Sequence, residues 1–556
     1  MTVPETLVDE HHEPLLDKCG SHLDENRNWP THGTYEYTSY YYSRREIVPF
    51  TDFIAMDKEF DFVVIGAGPI GAALAFKLAT DNPTSRVLVV EKNWAEPDRI
   101  VGELMQPGGC QAMEQLGLQN VFSDISAVPV HGYYISYRGR QLHVPYMHDA
   151  NGQLRGVSFH HGRLVMNLRA ACKAQSNVVC VEGSVTELLG QMDNNRFTAV
   201  RGVRVGPQRI QADGSDECID VCSRKLTFVC DGITSQFRKQ LNERPVELIS
   251  HFCGLVLEHE PVSSDTYFDG PTGTTSHVSR PTDTAGNPLP MPHNGNVMLD
   301  GVGPVLLYQM SERETRVLAD IPGPFLPSES NGQLRETLRT SLSHAAPKHL
   351  YPALHAALMR ALDDSRRIRC IGSKFIPATA NNIDGAVWIG DALNVRHPLT
   401  GGGMTVGLWD VVILTDLLRT HDAANSQQVQ RVKAQWQWRR RPRALVVNVL
   451  SVALHALFAA ETKELGLLRE ACFEYLAKGS HYTMQPSGFL SGLLPSPMLL
   501  IFHFFSVAFL AVYLRVSDES VAYSGGSLFY RVYSAFYTLY IAATVILPVI
   551  WRELQP

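Results

Sequence analysis

Three glycine-rich stretches carry the residues of this chain that could do chemistry. The first is Gly66-Ala67-Gly68-Pro69-Ile70-Gly71, entered from an apolar run at 62–65 and followed by an apolar-faced helical pattern. A second apolar run at 87–90 then ends in Glu91 and Lys92. Gly66 permits the tight turn, Gly68 lets the backbone approach a pyrophosphate, and Gly71 lets the helix pack closely on the strand. The helix start offers free amides and a partial positive charge to phosphates. Glu91 stands where a carboxylate accepts hydrogen bonds from a ribose. This is a dinucleotide site, and the turn alone leaves open whether the nucleotide is NAD or FAD. The second stretch, Cys230-Asp231-Gly232, closes an apolar run at 226–230; taken alone it is a common turn. The third is Ile389-Gly390-Asp391, followed by Arg396-His397-Pro398-Leu399-Thr400-Gly401-Gly402-Gly403-Met404. A strand ending in Gly-Asp, with a triple glycine opening a helix, sets backbone amides and a helix dipole against a ligand. Such donors suit the negative charge of a reduced flavin on its N1/C2 carbonyl side.

These stretches need strands and helices to hold them, and the pattern supplies both. The unit at 60–92 reads as strand, turn, helix, strand. Residues 128–147 alternate polar and apolar side chains as a hairpin does. A helix follows Phe159-His160-His161-Gly162-Arg163, and strands are expected near 178–188, 197–205 and 226–230. The chain of 556 residues is too long for one ordinary core. The expected modules are a polar, disordered segment at 1–57; a nucleotide-binding domain at 58–248 with the inserted hairpin; and a β-rich substrate domain at 249–370. The nucleotide-binding domain returns at 371–425, and a helical region at 426–556 closes the chain. A Pro/Gly/Thr-rich stretch at 261–296 interrupts the β-rich part as an unusually long loop.

Composition narrows the class. Hydrophobic residues make up 45% and charged residues 19%, which describes a globular protein. A net charge of −7 without a basic stripe gives no sign of a nucleic-acid partner, and none is expected. The ten cysteines form no CxxC pair and no zinc-type cluster, so reduced thiols in a cytosol-facing protein are expected and no metal site. The first residues show no positive stretch leading into an apolar core, hence no signal peptide is expected. The other end differs. Residues 498–514 are apolar apart from His503 and Ser506, and 532–551 carry no charge. Crossing a bilayer takes about 20 such residues. Membrane attachment is therefore expected, either as a spanning hairpin or as helices dipping into one leaflet.

In order and spacing the three stretches resemble the flavoprotein monooxygenases of the aromatic-hydroxylase type. Within that fold, the wording at 96–109 (EPDRIVGELMQPGG), 159–163 (FHHGR), 389–406 (IGDALNVRHPLTGGGMTV), 447–458 (VNVLSVALHALF) and 467–475 (LLREACFEY) is similar to the squalene monooxygenase (squalene epoxidase) family. The likeness runs over roughly 59–550. It implies an α/β, Rossmann-like FAD-binding fold with a β-rich substrate domain and C-terminal membrane-associated helices.

The resemblance also implies roles. FAD would be contacted by Gly66, Gly68, Pro69, Ile70, Gly71, Glu91, Lys92, Arg99, Arg163, Val185, Asp231, Asp391 and Met404. The family's active-site tyrosine matches Tyr133, and Tyr308 is expected to pair with Gln106 behind it. Pro398, Leu399, Phe458, Phe473 and Leu476 would line the substrate pocket; without the resemblance they read as ordinary core. The implied reaction is FAD-dependent epoxidation of squalene by O2 to (S)-2,3-epoxysqualene in sterol biosynthesis. The chain has one GxGxxG unit and no evident NADPH domain, so the implied electron donor is NADPH acting through NADPH-cytochrome P450 reductase. The implied place is the endoplasmic reticulum membrane, or a microsomal or lipid-droplet surface, with the catalytic part facing the cytosol and membrane lipid as a partner. Three departures stand out: Leu476 where the family commonly has an aromatic residue, the long loop at 261–296, and no apolar N-terminal anchor. The competing readings are a prenyl-lipid reductase or hydroxylase of the same fold, and a non-catalytic prenyl-lipid binding protein.

Overall fold

The computed structural model describes residues 46–555, except 151, 195, 209–216, 242–243, 261–287, 461 and 518–527. Most of the segment expected to be disordered at 1–57, and most of the loop expected at 261–296, thus lie outside the described residues. Residues 46–57 are ordered. Val48–Pro49 pairs in parallel with Val181 and Glu182, and Phe53 is buried beside Phe60. The first sheet therefore includes residues about ten positions before the boundary the polar composition suggests.

The first sheet has eight strands, in the order Val48–Pro49, Val178–Glu182, Val87–Glu91, Glu59–Ile65, Ile219–Val229, Arg196–Gly206, Ser184–Asp193, with Ala386–Trp388 also on Ile219–Val229. Val178–Glu182, Val87–Glu91, Glu59–Ile65, the end of Ile219–Val229 and Ala386–Trp388 run parallel and are mainly buried, as they must be when both faces are covered, while Arg196–Gly206 and Ser184–Asp193 are antiparallel. The strand Ile219–Val229 changes partner along its length: its start pairs with Arg196–Gly206 and its end with Ala386–Trp388. That switch brings Asp231 and Asp391, 160 positions apart in the chain, to neighbouring strand ends. The helix Pro69–Asp81 packs on both His161–Lys173 and Gly403–Arg419. Their contact is close because the first buries Gly71, Ala72, Ala73, Ala75 and Ala79.

The second sheet has seven strands, in the order Arg369–Phe375, Glu247–Glu258, Glu314–Pro322, Val305–Gln309, Gly295–Met298, Gly132–Tyr137, Arg140–Pro145. The hairpin at 132–145 thus belongs to this sheet and not to the nucleotide-binding module in which it is inserted. Gly295–Met298 joins it through a parallel pairing with Tyr133–Ser136. One face is covered by Gln333–Ala345 and Pro352–Asp364. The other shares an apolar core with Lys463–Ala477 and the last helices.

Three described helices are long and apolar enough to cross a membrane: Ser426–Ala459, Pro497–Ser517 and Ala535–Leu554. The first is largely covered by the rest of the chain; the other two are not. Their uncovered side chains share faces. Phe502, Phe509 and Tyr513 lie along one helix, and Phe536, Tyr540, Leu547 and Trp551 along the next, all half-exposed or more.

Candidate active site

A cavity of about 970 Å3 runs from the first sheet to the second, at the upper end of the size of small-molecule sites. At one end Gly66, Gly68, Pro69 and Ile70 line it, with Glu91, Lys92 and Arg99 beside them. Gly66 has φ +94°, and a Cβ there would lie 2.8 Å from the Cys230 carbonyl oxygen. That position needs glycine for the chain's own geometry. Gly68 does not. Its backbone is ordinary (φ −71°, ψ −175°), and an added Cβ would meet nothing within 4 Å. The space in front of it belongs to the cavity, which is what a bound pyrophosphate requires.

Two helices begin at this cavity without a side-chain cap, Pro69–Asp81 and Gly403–Arg419. Their free amides and dipoles converge on one space. The Ala67 amide donates to Glu91 Oε2 at 2.8 Å and the Asn93 amide to Oε1 at 3.1 Å, so the carboxylate is held at the strand end with lone pairs to spare. Asp391 faces the cavity. The protein around it raises its pKa, against the pull of Arg396, Arg99 and Arg238. Arg238 ties the two acidic turns together, donating to the carbonyls of Gly232 at 3.0 Å and Asp391 at 2.8 Å. Val185, Asp231 and Met404 also line the cavity. The donor set fits a dinucleotide with a second, anion-stabilising amide group, as FAD demands.

Arg163 does not reach this space. It sits on the exposed side of His161–Lys173, 3.5 Å from Ser126 Oγ. The inward positions of that helix are His161, Val165 and Arg169, spaced by four, and these three line the cavity. Arg169 donates to the carbonyls of Ala67 (2.9 Å) and Ala95 (3.0 Å) and lies 3.8 Å from Glu91. His161, whose pKa burial pushes down to about 4, is neutral and donates from Nδ1 to the Gly102 carbonyl. Replacing Arg169 by alanine is expected to weaken FAD binding about tenfold or more, the worth of one charge-assisted contact, while Arg163→Ala changes it by less than about twofold. Flavin fluorescence titration of the two purified variants separates them.

The far end is apolar. Val101, Leu104, Val297, Leu306, Leu318 and Ile371 line it, with Pro398 and Leu399. Phe458, Phe473 and Leu476 do not line the cavity; they belong to the apolar core packed behind it. Phe473 stacks beneath the Arg140 guanidinium at 4.5 Å, which turns its ring toward the outer hairpin.

Gln106, the residue before the helix Pro107–Leu116, organises the polar part of this wall. Its Oε1 accepts from the hydroxyls of Tyr133 (2.9 Å) and Tyr146 (2.7 Å), and its Nε2 donates to the Thr400 carbonyl (2.9 Å). Tyr308 therefore does not pair with Gln106. Its strand places it opposite Arg316, and its hydroxyl donates to Glu103 Oε2 at 3.2 Å. Arg316 meets the same carboxylate with Nε at 2.7 Å and Nη2 at 2.8 Å. Burial raises the pKa of Tyr133 and of Tyr308, so both hydroxyls keep their protons. The Glu103–Arg316 pair has no sequence signal: the partners are 213 positions apart.

This arrangement, with a dinucleotide cradle in a mainly parallel sheet and a second sheet over the mouth, is the fold of the flavin-dependent monooxygenases. It is shared with PqsL of Pseudomonas aeruginosa, described as a probable FAD-dependent monooxygenase (TM-score 0.52, 19% identity, 73% of this chain and 98% of that one). It is shared also with Klebsiella pneumoniae HpxO, solved with FAD and uric acid (0.54, 18%, 79% and 97%). Within that class, the chain belongs to the squalene epoxidase family. The family model for squalene epoxidase matches residues 223–267 and 283–529. The squalene epoxidase ERG1 of Candida albicans is 35% identical over 89% of this chain and 99% of its own. The squalene monooxygenase of Mus musculus is 35% identical over 89% and 78%.

Proposed function

We propose that the protein epoxidises squalene to (S)-2,3-epoxysqualene, using FAD, O2 and electrons from NADPH passed on by NADPH-cytochrome P450 reductase. The observation that carries this reading is a cavity whose cradle of amides opens directly onto an apolar wall. The family relatives named for this reaction support it.

Reduced FAD, when bound, activates O2 and supplies one oxygen atom to an electron-rich alkene. The chain's own residues do the rest. Glu91, Lys92, Arg99 and Arg169 take the nucleotide end, and Val185 and Asp231 the neighbouring wall. Asp391 takes the ribityl side, and the amides before Met404 stabilise negative charge on the flavin. Val101, Leu306, Leu318, Ile371 and Leu399 hold the alkene and keep water out. A C30 hydrocarbon has no polar handle, so its binding comes from burial at about 25 cal/mol per Å2. Tyr133 and Tyr308 would otherwise present bare hydroxyls to that hydrocarbon. Their bonds to Gln106 and Glu103 satisfy the hydroxyls and fix the rings.

The exposed faces of Pro497–Ser517 and Ala535–Leu554 suit attachment to the endoplasmic reticulum membrane, into whose lipid squalene partitions, with the catalytic part in the cytosol. Detergent-solubilised protein, incubated with FAD, the reductase, NADPH and squalene, is expected to form 2,3-epoxysqualene detectable by gas chromatography. Absence of that product would overturn the reading. Full turnover on NADPH without the reductase would overturn the electron route alone.

A further inference from the structure

Behind the cavity wall lies a buried polar cluster that the dinucleotide cradle and the apolar pocket leave unexplained. Asp320 is fully buried in the strand Glu314–Pro322, and two histidines converge on it with Ser250. His455, on the long helix Ser426–Ala459, donates from Nε2 to Asp320 Oδ2 at 2.9 Å. Ser250 donates its hydroxyl to Asp320 Oδ1 at 2.5 Å and lies 2.8 Å from His397 Nε2. The other nitrogen of His397, Nδ1, accepts from the Leu399 amide at 3.2 Å. An acceptor at Nδ1 leaves the proton on Nε2, which then donates to Ser250. Burial holds the pKa of His397 well below its usual value, consistent with this neutral form.

We infer that Asp320 is a positioning residue for the epoxidation: through Ser250 it sets the tautomer of His397, and His397 thereby holds the turn Pro398–Thr400 in the cavity wall. The path continues to the reacting space, because Pro398, Leu399 and Thr400 line the cavity and the Thr400 carbonyl is the point to which Gln106, and through it Tyr133, is tied. The cluster also joins three parts of the molecule, namely the second sheet, the turn at Pro398–Thr400 and the helix that runs toward the apolar C-terminal region. The ligand-type atoms of Asp320, His397 and His455 lie within 4.8 Å of one another, as in a metal site. Here the carboxylate oxygens already accept from His455 and Ser250, and His397 is engaged at both nitrogens. The geometry is that of an orienting relay and not of an open coordination site.

The inference rests on the epoxidase reading, and the wild-type assay separates the two: no epoxide from wild type sinks that reading, whereas a working wild type with unaffected variants sinks only this inference. Asp320→Asn keeps the volume but offers an N–H where both partners need an acceptor. Ser250→Ala removes one hydroxyl and tests the relay if Asp320→Asn fails to fold. In Ser250→Ala, epoxide formed per NADPH consumed is expected to fall about threefold, with the missing electrons recovered as H2O2, while KM for squalene stays within about twofold. In flavin-free protein, amide hydrogen exchange at 397–404 is expected to quicken about tenfold in the same variant, a readout independent of turnover. Unchanged coupling and unchanged exchange, or one equivalent of a divalent metal in purified wild type, would overturn the proposal.

Discussion

Gly71→Val is expected to yield protein without flavin and without activity. A Cβ built on Gly71 lies 2.0 Å from the Gly66 carbonyl oxygen and 3.1 Å from Cys230 Cβ. Neither neighbour is the free end of a flexible side chain. The oxygen is backbone of the turn itself, and Cys230 is locked in the strand end beside it. To admit a side chain, Pro69–Asp81 must lift away from the strand Glu59–Ile65, and the amides that converge on the pyrophosphate lift with it. Overpacking of this kind costs about 1–3 kcal/mol or more in the fold. For the ligand, a shift of donors out of hydrogen-bond reach amounts to roughly a hundredfold in Kd. Gly68→Ala is the matched control. Its new methyl meets no protein atom within 4 Å, so its Tm is expected to equal wild type while flavin affinity falls. Absorbance of the purified proteins reads flavin content, and differential scanning fluorimetry reads Tm. If Gly71→Val retained a full complement of flavin, the cradle would be elsewhere.

The difference between these two glycines shows what was legible beforehand. Spacing alone placed all three glycines, Glu91 and the Asp391 turn, because each belongs to a local strand–turn–helix whose geometry follows from a few consecutive residues. Side-chain aim was not legible in this way. Arg163 stands beside the double histidine, yet a helix turns 100° per residue, so two positions after His161 it lies on nearly the opposite face. Arg169 was in plain view as part of a helical pattern but carried no motif to single it out. Tyr308 was given the wrong partner because two tyrosines, from Gly132–Tyr137 and from the chain just past Arg140–Pro145, reach Gln106 first. The hairpin changed sheets for a related reason. Its alternation fixes that it has a buried face, not which core receives it.

Glu103 is the residue that local reasoning had least chance of assigning, and its replacement carries the second large expected effect. Glu103 is 2% exposed and Arg316 8% exposed, and the guanidinium grips both carboxylate oxygens. Removing one member leaves the other charged in an apolar wall, which costs about 3–5 kcal/mol. Glu103→Leu is therefore expected to lower stability by that amount and to free the Tyr308 hydroxyl beside the substrate space. The desolvation argument makes a sharper claim about the pair. Two charges in that wall are nearly balanced against their own burial, so the double variant Glu103→Leu with Arg316→Met is expected to regain most of the lost stability. Activity is not expected to return with it, because Tyr308 loses its acceptor in both cases and the wall loses the fixed orientation that Arg316 gives Glu103. Denaturant unfolding of the two single variants and the double variant closes the cycle, and epoxide formation by the double variant tests the second half. Recovery of both stability and activity would show that the pair is only a packing solution. Recovery of stability alone separates what the wall needs in order to fold from what it needs in order to hold an alkene in one orientation.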